Sequence, residues 1–245
     1  MSDRRVAMRP FSWSSSGMFR DLLAGFVVLM LLVAMLRVMY MTPVSLYPAA
    51  GGAYLVLAAM MLHGRPAGQQ HLGWANRVTL ARAVLIVLLT AMLPQPTFVN
   101  DHHLLVFTAA LVALMLDGVD GWVARRTHTE SRFGARLDME LDAFFILMLC
   151  LMLVIQGKAG MWIMAIGAIR YLFVASAWRW PWLGSELPVS YRRKTICVWQ
   201  VSTLMTCLLP WVTMPWSSLL LALALLLLMI SFALDIAYLY AHARR

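Results

Sequence analysis

From residue 22 onward the chain alternates long apolar runs with short polar breaks. The runs fall near 22–41, 46–62, 78–94, 104–123, 138–156, 159–178, 195–213 and 217–240. A helix needs roughly 20 apolar residues to cross a bilayer, so the pattern predicts eight spans in an all-α membrane protein. The run at 46–62 is the weakest, because Pro48, Gly51 and Gly52 interrupt its start. The first run is longer than a signal-peptide core and has no clean small-residue cleavage site after it, so it reads as a retained span. The stretch 63–77 is too polar to span, and its Arg, Trp and Gln content suits an interfacial connector. The expected organisation is a segment 1–20, two spans over 21–62, the connector 63–77 and six spans over 78–245.

Composition sharpens this picture. Of the 245 residues 62% are hydrophobic and 13% charged, and the mean hydropathy is +0.77. Soluble domains run nearer about 45–50% apolar and about 25% charged, which speaks against a water-soluble globule. The formal net charge of +9 does not point to nucleic acid. The aromatic-interleaved basic stretch of a nucleic-acid reader is absent, and the arginines cluster between the apolar runs instead. With the N-terminus placed in the cytoplasm, 17 of the 20 Lys and Arg fall on the inner side, Arg82 counted among them. Only Arg37 and Lys158 lie toward the outer side, and Arg170 sits within a span. That asymmetry is the positive-inside pattern of loops beside anionic lipid, and it puts both termini in the cytoplasm. Trp74, Trp178, Trp180 and Trp182 then mark the inner interface, with Trp211 and Trp216 at the outer one. Cys150, Cys197 and Cys207 lie inside apolar runs without metal-ligand spacing and read as core residues.

The acidic residues are unevenly spread. Six of the eleven lie between 117 and 142. Carboxylates at or within spans are costly unless paired, so they suggest a site. Asp117 and Asp120 are three apart at the end of one run; Asp138 and Asp142 are four apart at the start of the next. Both spacings put a pair on one helix face. An 11-residue connection, 126–136, makes the two helices antiparallel neighbours whose acidic faces meet. Four converging carboxylates call for divalent cations, and all-oxygen ligation favours Mg²⁺, Mn²⁺ or Ca²⁺. Two such ions would neutralise the four charges and admit a phosphate-bearing ligand. Gly121 and Ala124 leave space beside the acids, Gly134 allows close approach, and Arg125 offers a forked cation for phosphate. An ion- or proton-coupled transporter also places acids in spans, but near the midplane rather than at a helix–loop corner.

Asp117-x-x-Asp120-Gly121-x-x-Ala124-Arg125, then eight residues, then Gly134-x-x-x-Asp138-x-x-x-Asp142 resembles the signature of the CDP-alcohol phosphotransferases. All eight positions are filled at the family spacing. Asn76-x-x-Thr79-x-x-Arg82 resembles the family's usual opening, and the likeness in architecture covers about 70–242, six spans behind an interfacial segment. The two spans over 21–62 lie outside that core. The resemblance implies transfer of a substituted phosphate from a CDP-linked donor to an alcohol, with release of CMP. It implies a two-metal site of Asp117, Asp120, Asp138 and Asp142, with Mg²⁺ or Mn²⁺ as the ions and Ca²⁺ as a further candidate. Asp142 is then the general base that takes the acceptor's proton. Gly121, Ala124, Arg125 and Gly134 hold the cytidine diphosphate, with Asn76 and Thr79 nearby. The expected donor is CDP-diacylglycerol, which reaches an inner-face site sideways from the membrane. A CDP-aminoalcohol enzyme acting on diacylglycerol, and more remotely a cation transporter, are the alternatives. A homodimer in a bacterial inner membrane is also expected.

Arg170, inside a span, and Arg192, Arg193 and Lys194, just before another, are candidates for an acceptor phosphate such as that of glycerol 3-phosphate. Members of the family that use phosphorylated acceptors have basic residues in similar places. For the triplet the competing reading is anchoring at the inner face; for Arg170 it is pairing with a buried acid. Glu140 points away from the Asp138–Asp142 face and suits a helix-surface or interhelical role. Asp235 is expected at the inner end of the last span, exposed or paired with an arginine. His102 and His103 read as solvated residues of an outer loop.

Overall fold

A computed structural model describes residues 16–64, 73–127, 132–184 and 190–243. Eight long helices account for most of them: α1 (Ser16–Tyr40), α2 (Leu46–Gly64), α3 (Gly73–Met92), α5 (His103–Thr127), α6 (Arg132–Ile155), α7 (Met164–Arg179), α8 (Tyr191–Leu208) and α9 (Trp216–Ala243). A six-residue helix, α4 (Pro96–Asp101), lies in the α3–α5 connection, and the described residues contain no strand. Among the described residues six helices, α7 taken with the turn before it, are long and apolar enough to cross a membrane, the character of a multi-pass membrane protein. The other two expected spans, α6 and α8, carry three charged residues each over 138–142 and 192–194.

The helices run further at one end of the bundle than the apolar runs do. α3 starts at Gly73, so 73–77 belongs to a helix and not to the connector; the rest of that connector, 65–72, lies outside the described residues. Likewise α5 runs to Thr127 and α6 begins at Arg132, which leaves four residues between them where eleven were expected. Apolar periodicity fades where a helix leaves the hydrocarbon, but the backbone hydrogen bonding continues. The segment 1–15, Arg65, Glu130 and the two C-terminal arginines are also outside the described residues.

α3 is the hub. Over its apolar window 72% is buried, against 17–28% for the other five apolar spans. It packs against α1, α2, α5 and α6, whereas α5 and α6 pack on α3 and α8 rather than mainly on each other. The antiparallel neighbours that the spacing predicts are therefore splayed around α3, and a cleft opens between them. α1 and α2 brace α3 from another side. Tyr54 of α2 donates to the carbonyl of Leu22 at 2.6 Å, close beside Gly25, where a Cβ would sit 2.5 Å from the phenol oxygen. Arg77 at the start of α3 pairs with Asp21 of α1 at 3.1 Å. Elsewhere α6 and α7 touch so closely that a Cβ at Gly167 would stand 2.7 Å from the Cα of Leu147.

At the end of the bundle away from the aspartates, Lys158 is buried between α6 and α7. Its ammonium donates to the carbonyls of Leu209 (3.1 Å), Pro210 (3.4 Å) and Val212, and its own carbonyl accepts from Ser217 Oγ at 2.5 Å. These bonds cap the loose end of α8 and tie it to the α6–α7 corner. His102, expected in solvent, stacks on Phe98 at 4.4 Å and meets Tyr40 edge-on, and His103 opens α5. Since one ammonium serves three carbonyls, Lys158→Met should destabilise the protein by about 1–3 kcal/mol. A lowered thermal unfolding midpoint in detergent checks this, with Ser217→Ala expected to lower it less.

Candidate active site

The site begins with the spacing on α3. Asn76, Thr79 and Arg82 are three residues apart, share a face and are all buried. Arg82 is 1% exposed, the bulkiest of the fully buried side chains among the described residues. Its position ten residues into α3 overturns its reading as a cation of an inner loop. A guanidinium there needs acceptors, and four carboxylates supply them. Nη1 pairs with Asp117 and, at 2.7 Å, with Asp138, and lies 3.7 Å from Asp120; Nη2 pairs with Asp142.

All four signature aspartates thus converge, two from α5 and two from α6. Carboxylate oxygens of Asp117, Asp120 and Asp138 lie within 4.8 Å of one another. Asp120 is the deep member: its side chain is 6% exposed, against 36–45% for the other three, and it accepts a hydrogen bond from Thr79 Oγ1 at 3.0 Å. At an effective dielectric of about 20, unit charges 4.8 Å apart repel by about 3–4 kcal/mol. Four carboxylates against one guanidinium leave an excess of three negative charges. The donor set is hard oxygen throughout, and oxygens on opposite sides of one Mg²⁺ or Ca²⁺ stand about 4–5 Å apart. The residues fit divalent cations.

Asp142 faces two cavities. One, about 150 Å³, is lined by Arg82, Asp117 and Asp142 with Phe145, Cys197 and Ser202, and fills the splay between α5 and α6. The other, about 270 Å³, runs from Asp142 between α6, α7, α8 and α9, and includes Arg170, Arg193, Gln200, Ser231 and Asp235. The amide nitrogen of buried Gln200 and the Nε of Arg170 have no hydrogen-bond partner among the described residues. This second cavity is a cleft with polar groups on an otherwise apolar wall.

The remaining expected residues separate into three groups. Gly121 and Gly134 lie half-buried on α5 and α6, on either side of the corner between the two acidic pairs. Arg170 lines the cleft and pairs with Glu140 at 2.9 Å, which gives Glu140 its interhelical role. Arg192 turns to α9, where it pairs with Asp235 and donates to Ser231 Oγ at 2.6 Å; Arg193 faces the cleft. The side chains of Ala124, Arg125 and Lys194 lie outside the described residues. The sequence reading missed Arg82 as a site residue and Gln200 altogether. A cation and an amide buried within spans were the available signals.

A family model for CDP-alcohol phosphatidyltransferases matches residues 72–235. That is about two-thirds of the chain, and it begins just before α3. No curated protein and no solved structure matches the chain.

Thr79 is the only described donor to Asp120 other than Arg82's more distant nitrogen. Thr79→Val keeps the shape and removes the hydroxyl. Residues that orient a ligating carboxylate typically cost about 10–100-fold in metal affinity when lost. A Mn²⁺ titration of the purified protein should show a weakening in that range.

Proposed function

The chain belongs to the CDP-alcohol phosphatidyltransferase family, and from that membership we propose that it moves the phosphatidyl group of CDP-diacylglycerol to an alcohol and releases CMP. The family makes it a transferase of substituted phosphate groups; the donor, the acceptor and the residue roles are the proposal. The observation that carries it is the convergence of four signature aspartates on one point beside a polar-lined cleft, with Asp142 bordering both.

Asp117, Asp120, Asp138 and Asp142 would hold two divalent cations, Mg²⁺ or Mn²⁺ in preference to Ca²⁺. When bound, such ions polarise the diphosphate and offset charge on the departing CMP. Gly121, Ala124, Arg125 and Gly134, with Asn76 and Thr79, make the cytidine diphosphate site on the corner between α5 and α6. The acceptor enters the cleft so that its hydroxyl meets Asp142. The hydroxyl oxygen forms a bond to the phosphorus that bears the diacylglycerol. The bond from that phosphorus to the CMP oxygen breaks, the hydroxyl proton passes to the Asp142 carboxylate, and CMP leaves as the anion.

The cleft suits a small polar acceptor. Arg170 and Arg193 supply positive charge for a phosphate such as that of glycerol 3-phosphate, and Gln200 offers an unpaired amide to a hydroxyl. Arg192 is engaged with α9 and serves the cleft by holding Asp235. Exposed Trp74 at the start of α3 and Trp178 and Trp180 at the end of α7 support an aromatic belt at the site end, with Trp211 and Trp216 at the other. We place the site end and both termini in the cytoplasm, on eight spans of a bacterial inner membrane, and the working unit is a homodimer.

Purified protein with radiolabelled CDP-diacylglycerol, Mg²⁺ or Mn²⁺ and single acceptors (glycerol 3-phosphate, inositol phosphate, inositol, serine, choline) should release CMP with one of them. Release of CMP from CDP-choline plus diacylglycerol instead would shift the assignment to an aminoalcohol enzyme, and ion flux without nucleotide would remove it. Asp142→Asn should lower turnover by at least about 100-fold, the scale of general-base loss. Arg170→Gln should raise the acceptor KM well above any change in donor KM. A Glu140→Gln control separates loss of the cleft's charge from loss of the Glu140 pair.

A further inference from the structure

We infer that Arg82 is a resident counter-ion of the four-aspartate site, one that holds the carboxylates together while no metal is bound and yields Asp117 and Asp138 when a divalent cation enters. The inference rests on the reading that this site takes divalent cations. It adds a competitor for the ligand oxygens, contributed by a helix that carries neither half of the aspartate signature.

The geometry is that of a cation in a carboxylate shell. Nη1 of Arg82 contacts Asp117 and Asp138 (2.7 Å) and lies 3.7 Å from Asp120. Those are the three residues whose oxygens gather within 4.8 Å as a candidate metal-binding set. The charged nitrogen and an incoming ion therefore seek the same oxygens. Both cannot sit there: a divalent ion inside a shell this narrow would stand within a few ångström of a like charge that is 1% exposed. With Arg82 in place the cluster carries three uncompensated negative charges, enough to attract a cation and few enough to stay assembled without one.

The structure also provides for the yielding step. The cavity of about 150 Å³ beside the cluster is lined by Arg82 together with Asp117 and Asp142. Nη2 already pairs with Asp142, the carboxylate outside the close trio. A guanidinium turning about that contact into the cavity gives up Asp117 and Asp138 and keeps Asp142. Two ions and the four carboxylates then sum to zero, and the displaced Arg82 leaves one positive charge in place. That charge lies beside the diphosphate of the proposed donor.

A static structural arginine would behave differently, and a linkage experiment separates the two. The probe is Mn²⁺ alone, with binding followed by electron paramagnetic resonance and stability by thermal unfolding of the full chain in detergent. Arg82→Gln should bind Mn²⁺ about tenfold or more tighter than the unsubstituted protein, a coupling of ordinary size between two competing cations. It should unfold earlier in chelator, where four carboxylates face one another uncompensated, and match the unsubstituted protein at saturating Mn²⁺. Arg82→Lys, which keeps the charge but loses the fork, should fall between them in both readouts. It carries the test if Arg82→Gln fails to fold. An equal stability deficit with and without Mn²⁺, or unchanged or weaker Mn²⁺ binding, would overturn the counter-ion role. If the unsubstituted protein binds no Mn²⁺, or Asp117→Asn with Asp138→Asn leaves binding intact, the cation site itself is misassigned. That is a different failure.

Discussion

Everything in this molecule turns on the cost of bringing like charges together in a bundle built mainly of hydrocarbon. Three carboxylates from two helices meet within hydrogen-bonding reach of one guanidinium, and a fourth, Asp120, lies 3.7 Å from it. Removing one partner of a buried ion pair costs about 3–5 kcal/mol because the other is left uncompensated. Here one partner serves several. The splay of α5 and α6 around α3 follows from this. Were the two acidic faces pressed directly together, the repulsion would have no cation to offset it. With α3 between them, Arg82 reaches both.

The need for a firmly held arginine explains the most asymmetric feature of the packing. α3 is buried over 72% of its apolar window, whereas the other apolar spans are buried over only 17–28% of theirs. A helix that must hold a charge at a fixed depth is best enclosed on all sides, since lipid offers no polar partner and no restoring force. α5 and α6 enclose α3 on the site face. α1 and α2, which lie outside the matched family region, pack on it elsewhere; the Tyr54–Leu22 bond ties the two to each other and the Arg77–Asp21 pair ties α1 to α3. The first pair of helices contributes none of the signature residues but packs on the helix that carries Asn76, Thr79 and Arg82.

Much of this is legible in the amino-acid sequence, and the rest is hidden for identifiable reasons. Spacing alone puts Asp117 with Asp120 and Asp138 with Asp142 on shared faces, and the run lengths give the helices to within a few residues at most ends. Arg82 misleads because the apolar run of α3 starts several residues after the helix does. Counted from the run, Arg82 is near an interface; counted from the helix, it lies about two and a half turns in. Lys158 is hidden for another reason. Its partners are backbone carbonyls, which no side-chain pattern records. Gln200 reads as one amide in an apolar stretch, and only the cleft shows that its nitrogen lacks a partner.

The placement of Asp142 joins the two halves of the chemistry. A base buried as deeply as Asp120 would be closed to an incoming alcohol, and one wholly in solvent would have no defined position. Asp142 is intermediate: one oxygen is anchored by Arg82 at the cluster, while the side chain remains open to the cleft on the α7 side. Arg170 and Gln200 line that same cleft with Asp142, whereas Asp117, Asp120 and Asp138 do not. This division is set by helix packing, because α6 turns Asp138 toward the cluster and, one helical turn later, Asp142 toward both spaces. A single helix face thus gives one carboxylate contact with both the cluster and the cleft.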